Sequence, residues 1–550
     1  MPHRKIARNF RCFGPARPVR HAAFTLLAAM TFGAAPIAAQ TLGQAFAKSV
    51  AVAVQEDGQE NEIVADFYKS RAYAPLWTDG SGSARLAALM GALDAAAAHG
   101  LPTQRYDGHA LRAAAQLARS EGDMGRLEVA LTKAFLSYGR DLSSGALEPI
   151  KVDGGILREI IRPDPALMLA AMAATSDPAA YLHGLAPKSP AYTKLMAEKA
   201  ALEARAAQGA FAGPIPARKL AEGAKGDGVI ALRNRLIELG YMPQSAQAVY
   251  DGAMTRAVQR FQREQGLNAD GVAGETTIDL LNAAPEARLA SVVVALERLR
   301  WMGNTPLGAR HIWVNQPDFT AKVVDDGAVT FRTRVVIGKN VPDQRSPEFS
   351  DEMEYMAINP SWGVPRSIIV KEYLPLLQRN PNAVGHLQVV DGKGRVVPRG
   401  AVNFAGYSAK SFPFSLRQPP SAGNALGIVK FMFPNANNIY LHDTPSKNLF
   451  DHEVRAYSHG CIRVGDPKDL AYALLARQSG DPQAAFKAAL DTGNETNIPL
   501  EQKIPVHLVY FTAFPDAGGE VRYRADVYGR DAKLFDALIE AGLEMPAKSG

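Results

Sequence analysis

Hydrophobic positions recur every three or four residues through much of the first 200 residues, which is the spacing of amphipathic helices. In ARLAALMGALDAAAAHG, Leu86, Leu89 and Leu93 fall on one stripe. The stretch HALRAAAQLARSEGDMGRLEVALTKAFLSYGRDL continues the pattern, and His99-Gly100 marks a turn between helices. The pattern predicts an α-helical domain over about residues 50–210.

A second helical unit follows a linker rich in Gly and Pro. In DGVIALRNRLIELGY, Val229, Leu232 and Leu236 share one face of a helix. YDGAMTRAVQRFQREQGL predicts a second helix with Phe261 turned inward, and NADGVAGETTIDLLN predicts a glycine turn and a third helix. We therefore expect a small three-helix unit at residues 222–284.

From about residue 290 the pattern changes to the alternation of half-buried strands. RHIWVNQPDFTAKVV and FRTRVVIG alternate apolar and polar residues, and KIPVHLVYFTAF with VRYRADVYG predicts a hairpin around residues 516–519. Helical RSIIVKEYLPLLQRNP and the strand-turn-strand VGHLQVVDGKGRVV interrupt these strands. We predict a mainly-β (α+β) domain over 290–530, with an inserted subdomain at 366–412 that could form a lid over a site.

The N-terminal 39 residues have a different character. They contain six basic residues and no acidic residue, followed by the apolar run AAFTLLAAMTFGAAPIAA. The run is short, is broken by Gly33 and Pro36, and ends in small residues at Ala39. Residues 1–39 therefore predict a cleaved signal peptide and an exported protein, and an uncleaved N-terminal membrane anchor is the alternative.

Removing this segment changes what the charge and the cysteine count imply. The chain of 550 residues is too long for one hydrophobic core and has 61 basic and 55 acidic residues. Without the leader the balance is even, so the net charge gives no reason to expect a nucleic-acid partner. Cys12 leaves with the leader, and Cys461 becomes the single thiol of an exported protein, which marks it as reactive.

Cys461 lies in YSHGCIRVGD and allows three interpretations. A buried structural thiol is the usual fate of a free cysteine, but the flanking Ser, His, Gly and Arg do not suit an apolar core. A metal site could use Cys461 with His442, His452 and His459, but the spacing lacks a paired-ligand motif. A nucleophile needs a base and donors for an oxyanion, and we favour this interpretation.

The residues alone leave the base of this nucleophile open. His459 is nearest in the sequence, but residues two apart across a tight turn need not share a face. His442 ends the strand NIYLH, where it can meet the loop of Cys461, whereas His452 in NLFDHEV is expected on a loop surface. His442 and His459 remain nearly tied.

Several stretches resemble known families. HDTPSKNLF followed by SHGCIRV resembles the L,D-transpeptidase (YkuD-type) catalytic domain. NPSWGVP, NALGIVKFMFPNANNIYLHDTPSKNLF and SHGCIRVGDPKDLAYALL resemble its large YcbB-like Gram-negative branch. The unit at 222–284 resembles the peptidoglycan-binding type 1 module through the ordered landmarks GY, YD, VxxFQ, GL, DGxxG and TxxxLN.

The resemblance implies a multidomain fold. Its parts are an α-helical N-terminal scaffold, a three-helix peptidoglycan-binding module, and a mainly-β catalytic domain with an inserted capping subdomain. This is the order in which the three patterns occur along the chain.

The resemblance also implies roles for particular residues. Cys461 is the nucleophile and His442 its base, and Asp443 receives no catalytic role. The backbone N–H groups of Gly460 and Cys461, with Tyr440, are expected at the oxyanion. Four further residues are assigned to the substrate site, with Arg463 facing a carboxylate of the stem: Trp362, Ser458, His459 and Arg463.

The implied reaction is acyl transfer in the cell wall, without a metal or a cofactor. The Cys461 thiolate attacks the carbonyl between diaminopimelate and the terminal D-alanine of a peptidoglycan stem, D-alanine leaves, and a thioester remains. The amine of a second stem then forms a 3→3 cross-link. Carbapenems are expected as covalent inhibitors.

Two alternatives remain open at this point. Water could release the thioester, which would make the protein an L,D-carboxypeptidase. A non-catalytic peptidoglycan-binding protein belongs to a different class, but such a protein has no need of a thiol in an oxidising compartment. Whether the unit at 222–284 binds glycan is also open.

Overall fold

The computed structural model describes residues 37–54, 58–80, 82–207, 213–283, 285–303 and 305–545. The predicted signal peptide, residues 1–39, lies outside the described residues except for its last three positions. Among the described residues, no helix combines the length and the apolar character needed to cross a membrane.

The N-terminal part is helical, as the periodicity predicts. It comprises α1 (Ile37–Ala53), α2 (Gln59–Ser70), α3 (Ser83–Ala95), α4 (Gly108–Leu117), α5 (Glu121–Ser144), α6 (Pro149–Val152), α7 (Pro165–Ala174), α8 (Pro178–His183) and α9 (Pro190–Ala207). Leu89 and Leu93 are buried in its core with Tyr68 and Trp77. Glu128 accepts hydrogen bonds from the Tyr68 hydroxyl and the Trp77 backbone N–H, both at 3.0 Å. The helices therefore pack around an apolar core that encloses the hydrogen-bonded carboxyl group of Glu128.

The predicted three-helix unit is present. Its helices are α10 (Asp227–Glu238), α11 (Gly252–Gln265) and α12 (Glu275–Asn282). Val229, Leu232 and Leu236 of α10 pack against Val258 and Phe261 of α11, and all five are fully buried. The helical spacing of apolar residues was therefore sufficient to predict this core.

A helix occupies the segment where the strand pattern was expected to begin. α13 (Pro285–Met302) runs past residue 290, and the first strand starts only at Arg310. Residues 292–296 of α13 are all buried, because the helix lies among α9, α5 and a C-terminal helix. A helix buried on several sides has no polar face, so its sequence lacks the periodicity that would have revealed it.

The C-terminal domain is built on one large sheet. Its strands are β1 (Arg310–Asn315), β2 (Thr320–Asp325), β3 (Ala328–Gly338), β4 (Phe349–Ile358), β9 (Val429–Met432), β10 (Leu441–His442), β11 (Ala456–Ser458), β12 (Ile462–Val464) and β13 (Thr496–Val509), where β5–β8 belong to the insertion described below. The order is β11-β3-β12-β10-β9-β4-β13-β1-β2, and β2 also pairs with β3. This pairing closes the sheet on itself, so the domain is mainly β, as predicted.

Helices and a hairpin complete this domain. They are α16 (Pro467–Leu475), α17 (Pro482–Asp491), α18 (Arg530–Glu540), β14 (Ala513–Pro515) and β15 (Val521–Tyr523), where α14 and α15 belong to the insertion. β14 and β15 pair antiparallel across the turn at 516–519, which confirms the predicted hairpin.

The insertion forms a unit with its own core. It contains β5 (Trp362–Gly363), α14 (Arg366–Ile368), α15 (Leu374–Arg379), β6 (Gln388–Val390), β7 (Val396–Val397) and β8 (Ser415–Gln418). A π-helical turn, Ile369–Tyr373, joins α14 to α15. The strands form a separate sheet in the order β5-β8-β6-β7. This sheet begins at Trp362 and ends at Gln418, so the unit is wider than the predicted 366–412.

A segment of the helical part forms backbone hydrogen bonds with the C-terminal domain. Ile156 forms a parallel β-bridge with Glu348. In this bridge Leu157 N–H donates to the Glu348 carbonyl, and Glu348 N–H donates to the Gly155 carbonyl, both at 2.8 Å. The three-helix unit also touches this domain, since the Asn268 N–H donates to the Glu453 carboxylate at 2.7 Å. The first of these contacts helps to form the wall of the site described next.

Candidate active site

Cys461 lies in the tight connection between β11 and β12. The residue before it, Gly460, has φ of +113°, a conformation that residues with a side chain rarely adopt. Cys461 is half-buried, and its thiol lies 3.6 Å from the Asn438 carbonyl oxygen. The glycine thus turns the chain so that the cysteine stands immediately before β12, at the end of an inner strand of the sheet.

Ser458 braces this turn. Its hydroxyl accepts a hydrogen bond from Gly460 N–H at 3.1 Å and donates to the Cys461 carbonyl at 2.6 Å. Ser458 is fully buried, so these contacts place it under the turn and not on a substrate surface. The structure therefore corrects two expectations: Ser458 supports the nucleophile, and Gly460 N–H is engaged by Ser458 instead of pointing at an oxyanion.

A cavity of about 1000 Å³ opens in front of Cys461. The sheet contributes Lys430 and Tyr440, the insertion contributes Trp362 and Arg366, and the helical part contributes residues 153–155 and Leu157. The cavity is therefore built by three separate parts of the chain. A second cleft, of about 780 Å³, shares Leu157 and Asn437 with it.

His442 lies on the strand next to the cysteine strand. β10 pairs parallel with β12, with Leu441 opposite Ile462 and His442 opposite Arg463. The His442 Nδ1 lies 2.5 Å from the Asp443 carbonyl oxygen, and since a carbonyl only accepts, Nδ1 carries the proton. Nε2 of the neutral ring is then the atom left to accept a proton.

Burial decides the charge of His442. The side chain is 5% exposed, and its loss of hydration, followed by the positive charges of Arg463 and Lys430, lowers its pKa to about 3. The imidazole is neutral at neutral pH and can act as a base.

Asp443 holds the backbone that orients His442. Its carboxylate accepts hydrogen bonds from Ile428 N–H at 2.9 Å, Thr444 N–H at 2.6 Å and the Lys447 ammonium at 2.7 Å. This buried residue was assigned no catalytic role in the sequence analysis. These contacts fix the position of the Asp443 carbonyl group, which accepts the hydrogen bond from Nδ1–H of His442.

Tyr440 links the nucleophile to the insertion. Its hydroxyl interacts with the Cys461 sulfur and with the Trp362 side chain. Burial raises the pKa of the Tyr440 phenol, so the hydroxyl keeps its proton and can donate it in a hydrogen bond. Tyr440, Trp362 and Cys461 line the same cavity.

Burial and nearby cations act in opposite directions on the thiol. Loss of hydration raises the pKa of Cys461, whereas hydrogen bonds from Tyr440 and the charges of Lys430 and Arg463 oppose that rise. Lys430 was not singled out by sequence reasoning. On β9, Lys430 lies between the buried residues Val429 and Phe431. This alternation was the signal in the sequence that a lysine lies on the opposite face of the sheet from the core.

Arg463 has an unused donor. Its Nε is buried and has no hydrogen-bond partner among the described residues. Burial lowers the pKa of this guanidinium, and the neighbouring Cys461 raises it. A carboxylate brought by a substrate would satisfy such a group.

His459 turns towards the insertion. Its Nε2 lies 2.6 Å from Oε1 of Glu372 in the π-helical turn. The sequence left His459 nearly tied with His442 as the base, and this contact gives it a different task, that of joining the cysteine loop to the insertion. His452 packs against Tyr457 on the loop, with ring centroids 5.4 Å apart. Within the described ranges, no cluster of three or more His, Cys, Asp or Glu side chains is arranged to hold a metal ion.

Comparison with known families agrees with this arrangement. Residues 309–482 match the family described as L,D-transpeptidase catalytic domain. The chain carries an L,D-transpeptidase catalytic domain. Residues 225–281 match the family described as peptidoglycan binding domain, and residues 62–198 match a family described as scaffold domain.

Individual proteins are also similar to this chain. A protein of Haemophilus influenzae described as an L,D-transpeptidase is 32% identical over 230 residues, which is 42% of this chain and 46% of that protein. The chain thus spans about half the length of this curated relative. The crystal structure of an L,D-transpeptidase from Xylanimonas cellulosilytica is 17% identical and aligns over 54% of this chain and 100% of its own, with a TM-score of 0.16. An L,D-transpeptidase structure from Stackebrandtia nassauensis is 16% identical, with 54% and 97% covered and a TM-score of 0.21.

Proposed function

We propose that this protein is a cell-wall L,D-transpeptidase of the YcbB-like branch that forms 3→3 cross-links between peptidoglycan stems. One observation carries the proposal. In a domain of the L,D-transpeptidase family, a free Cys461 opens into a large cavity, beside a neutral buried histidine on the adjacent strand.

Acylation is the first step. Nε2 of His442 takes the proton from Sγ of Cys461, and the sulfur attacks the carbonyl carbon between diaminopimelate and D-alanine. The tetrahedral oxyanion receives hydrogen bonds from Tyr440 and the Cys461 N–H. The C–N bond then breaks, the leaving amine of D-alanine takes the proton from His442, and a thioester with Cys461 remains.

Transfer is the second step. The side-chain amine of a second stem attacks the thioester carbonyl and gives a proton to His442, which returns it to the departing sulfur. The buried Nε of Arg463 is available for a carboxylate of the donor stem. The cleft that shares Leu157 and Asn437 with the catalytic cavity offers space for the acceptor.

The remaining parts of the chain fit this role. Residues 1–39 would direct export to the periplasm as a cleaved signal peptide, and the module at 222–284 would hold the enzyme on peptidoglycan. A carbapenem would acylate Cys461 in the same way as the donor stem, since its strained amide carbonyl meets the same thiolate.

The decisive experiment incubates the purified protein with sacculi rich in tetrapeptide stems and analyses the released muropeptides by mass spectrometry. We expect 3→3 dimers and free D-alanine, and neither with Cys461→Ala. Tripeptides without dimers would replace the transpeptidase by an L,D-carboxypeptidase. Binding to sacculi without any change in the stems would indicate a non-catalytic binding protein.

A further inference from the structure

We propose that Lys430 is a positioning residue for the nucleophile: its ammonium group holds the Tyr440 ring in place and sets a positive charge beside the Cys461 sulfur. The inference rests on the proposed role of Cys461 as the nucleophile and adds a residue to that site. No role was assigned to this lysine in the sequence analysis.

The register of three strands places Lys430 at the site. β9 pairs antiparallel with β10, with Lys430 opposite His442, and β10 pairs parallel with β12, with His442 opposite Arg463. Side chains of directly paired residues point to the same face of a sheet. One face of the sheet therefore carries a row of three side chains, those of Lys430, His442 and Arg463. Arg463 lies on β12, two residues after Cys461, so the row is next to the nucleophile.

A close contact joins Lys430 to Tyr440. The ammonium nitrogen lies 4.0 Å from the centre of the Tyr440 ring, well inside the range of a cation–π interaction. The other side of the contact is the nucleophile, because the Tyr440 hydroxyl interacts with the Cys461 sulfur and both residues line the same cavity. A lysine on the ring face limits how far the ring can turn, and thereby keeps the hydroxyl on the sulfur.

Most other charges around the cavity are committed to partners of their own. Asp343 pairs with Lys371, and Asp153 lies 2.7 Å from Lys533. Glu372 binds His459 at 2.6 Å. The two lysine–aspartate pairs cancel their charges at the rim.

The remaining charged groups are also directed away from the sulfur. Arg345 donates to Asn340 at 2.9 Å, and Arg366 donates to three carbonyl groups of the insertion. Arg530 pairs with Glu348. Glu495 is exposed and accepts a hydrogen bond from Ser361 N–H, and its negative charge also attracts Lys430. Lys430 and Arg463 are then the cations that act on the thiol, together with the neutral His442 and Tyr440.

The expected consequence has a definite sign. A cation near the sulfur stabilises the thiolate and lowers the pKa of the thiol, in opposition to burial. The same cation disfavours protonation of His442, which keeps the imidazole neutral. Loss of Lys430 should therefore move the reactivity of Cys461 to higher pH without removing it.

The test measures alkylation of Cys461 by iodoacetamide as a function of pH in the full chain, with Cys12→Ser in every variant so that one thiol reacts. Lys430→Met and Lys430→Gln should move the midpoint up by about one pH unit, the size of shift that one nearby charge produces. Lys430→Arg keeps the charge and should stay near the parent. Lys487→Met removes an exposed lysine paired with Asp491 and serves as the matched control. Circular dichroism verifies that each variant is folded.

Equal midpoints for Lys430→Met, Lys430→Gln and Lys487→Met would overturn the inference. A rise in KM for a tetrapeptide donor without a shift in the alkylation midpoint would also overturn it, because Lys430 would then bind a substrate carboxylate. The proposed function is judged separately, by thioester formation with the tetrapeptide in the parent protein. If the alkylation midpoint depends on Lys430 but no thioester forms, the role of Lys430 is supported and the proposed transpeptidase function is refuted.

Discussion

At the scale of single residues, the geometry separates the two histidines that the sequence left nearly tied. His442 is buried on the strand beside the nucleophile, with Nδ1 bound to a carbonyl group and Nε2 left as the acceptor. His459 is bound to Glu372 of the insertion. The assignment of His442 as base therefore has support from geometry in addition to family resemblance.

We predict that His442→Ala lowers the rate of Cys461 acylation by about 10²- to 10⁴-fold, the usual contribution of a positioned base. His459→Ala should cost far less, because it removes a contact with the insertion and leaves the base. Stopped-flow acylation by a carbapenem, followed by intact mass, measures both. Since burial lowers the pKa of His442 to about 3, the base stays unprotonated as pH falls to 5. A limb in the profile near pH 6.5 that disappears in His442→Ala, or equal losses in the two variants, would contradict this view.

Ser458 gives a second prediction at this scale. Ser458→Ala leaves the buried Gly460 N–H without its acceptor and the Cys461 carbonyl without its donor, a loss of about 1–3 kcal/mol in the free energy of unfolding. The turn that presents Cys461 should also loosen, so acylation should slow. Ser367→Ala, at an exposed serine of the same cavity, is the control for both denaturation and acylation measurements. A Ser458→Ala protein as stable and as reactive as this control would show that the brace is unimportant.

The site could be predicted only where its residues share a local motif. Cys461 and its turn lie within one short stretch, and His442 lies in the conspicuous stretch YLHD. Lys430 reaches the cavity through strand pairing, and Glu372 of the insertion binds His459 in the cavity lining. A sequence does not display those contacts. Gly460 N–H was predicted as an oxyanion donor because the competing acceptor, the Ser458 hydroxyl, becomes visible only in three dimensions.

At the scale of elements, the π-helical turn of the insertion is the part that meets the catalytic loops. Lys371 pairs with Asp343 in the loop after β3, and Glu372 pairs with His459 in the loop before Cys461. The Trp362 and Tyr373 rings also meet edge to face, 6.5 Å apart. Two adjacent residues thus hold the insertion to both sides of the cavity, and π-helical turns are frequent at functional sites.

We predict that the double variant Lys371→Ala, Glu372→Gln increases hydrogen–deuterium exchange in residues 362–418 by about twofold to fivefold, with little change in the melting temperature, because partly exposed ion pairs are weak. Arg395→Ala breaks an ion pair with Asp391 that lies within the insertion and serves as the control. If exchange in the double variant equals that of Arg395→Ala, the two pairs do not hold the insertion.

Helices and strands were predictable where one face is buried and the other is exposed to solvent. The helices of the three-helix unit and the C-terminal hairpin follow this rule and appear as expected. α13 breaks it, because residues 292–296 are buried on all sides and carry three valines in a row. The strand at His442 is also shorter than its apolar run suggests, since only Leu441 and His442 pair.

At the scale of the whole molecule, the catalytic cavity depends on a part of the chain outside the catalytic-domain match at residues 309–482. Residues 153–155 and Leu157 form one wall, and they are held by the backbone bridge between Ile156 and Glu348. Neither the spacing of hydrophobic residues nor a motif predicts a contact between segments 192 residues apart. Closure of the site is therefore a property of the assembled chain and not of the catalytic domain alone.

Glu348 is the centre of this assembly. It is 2% exposed and lies 3.3 Å from Arg298 of α13 and 3.3 Å from Arg530 of α18, while its backbone bonds to residues 155–157. Removing one partner of a buried ion pair leaves the other charge uncompensated, which costs about 3–5 kcal/mol. One carboxylate therefore joins the helical part, the sheet and the last helix.

We predict that Glu348→Gln lowers the free energy of unfolding by about 3–5 kcal/mol and slows Cys461 acylation as well, because two buried arginines would then repel each other behind the cavity wall. Denaturation by guanidinium followed by circular dichroism, together with the acylation rate, measures both effects. Glu354→Gln on β4 is the matched control, since Glu354 pairs with Lys503 at 2.6 Å on a partly exposed surface, and its loss should change neither quantity appreciably. If Glu348→Gln loses stability but keeps the parent acylation rate, the wall at 153–157 does not shape the site. If it loses neither, the buried network does not join the three parts of the chain.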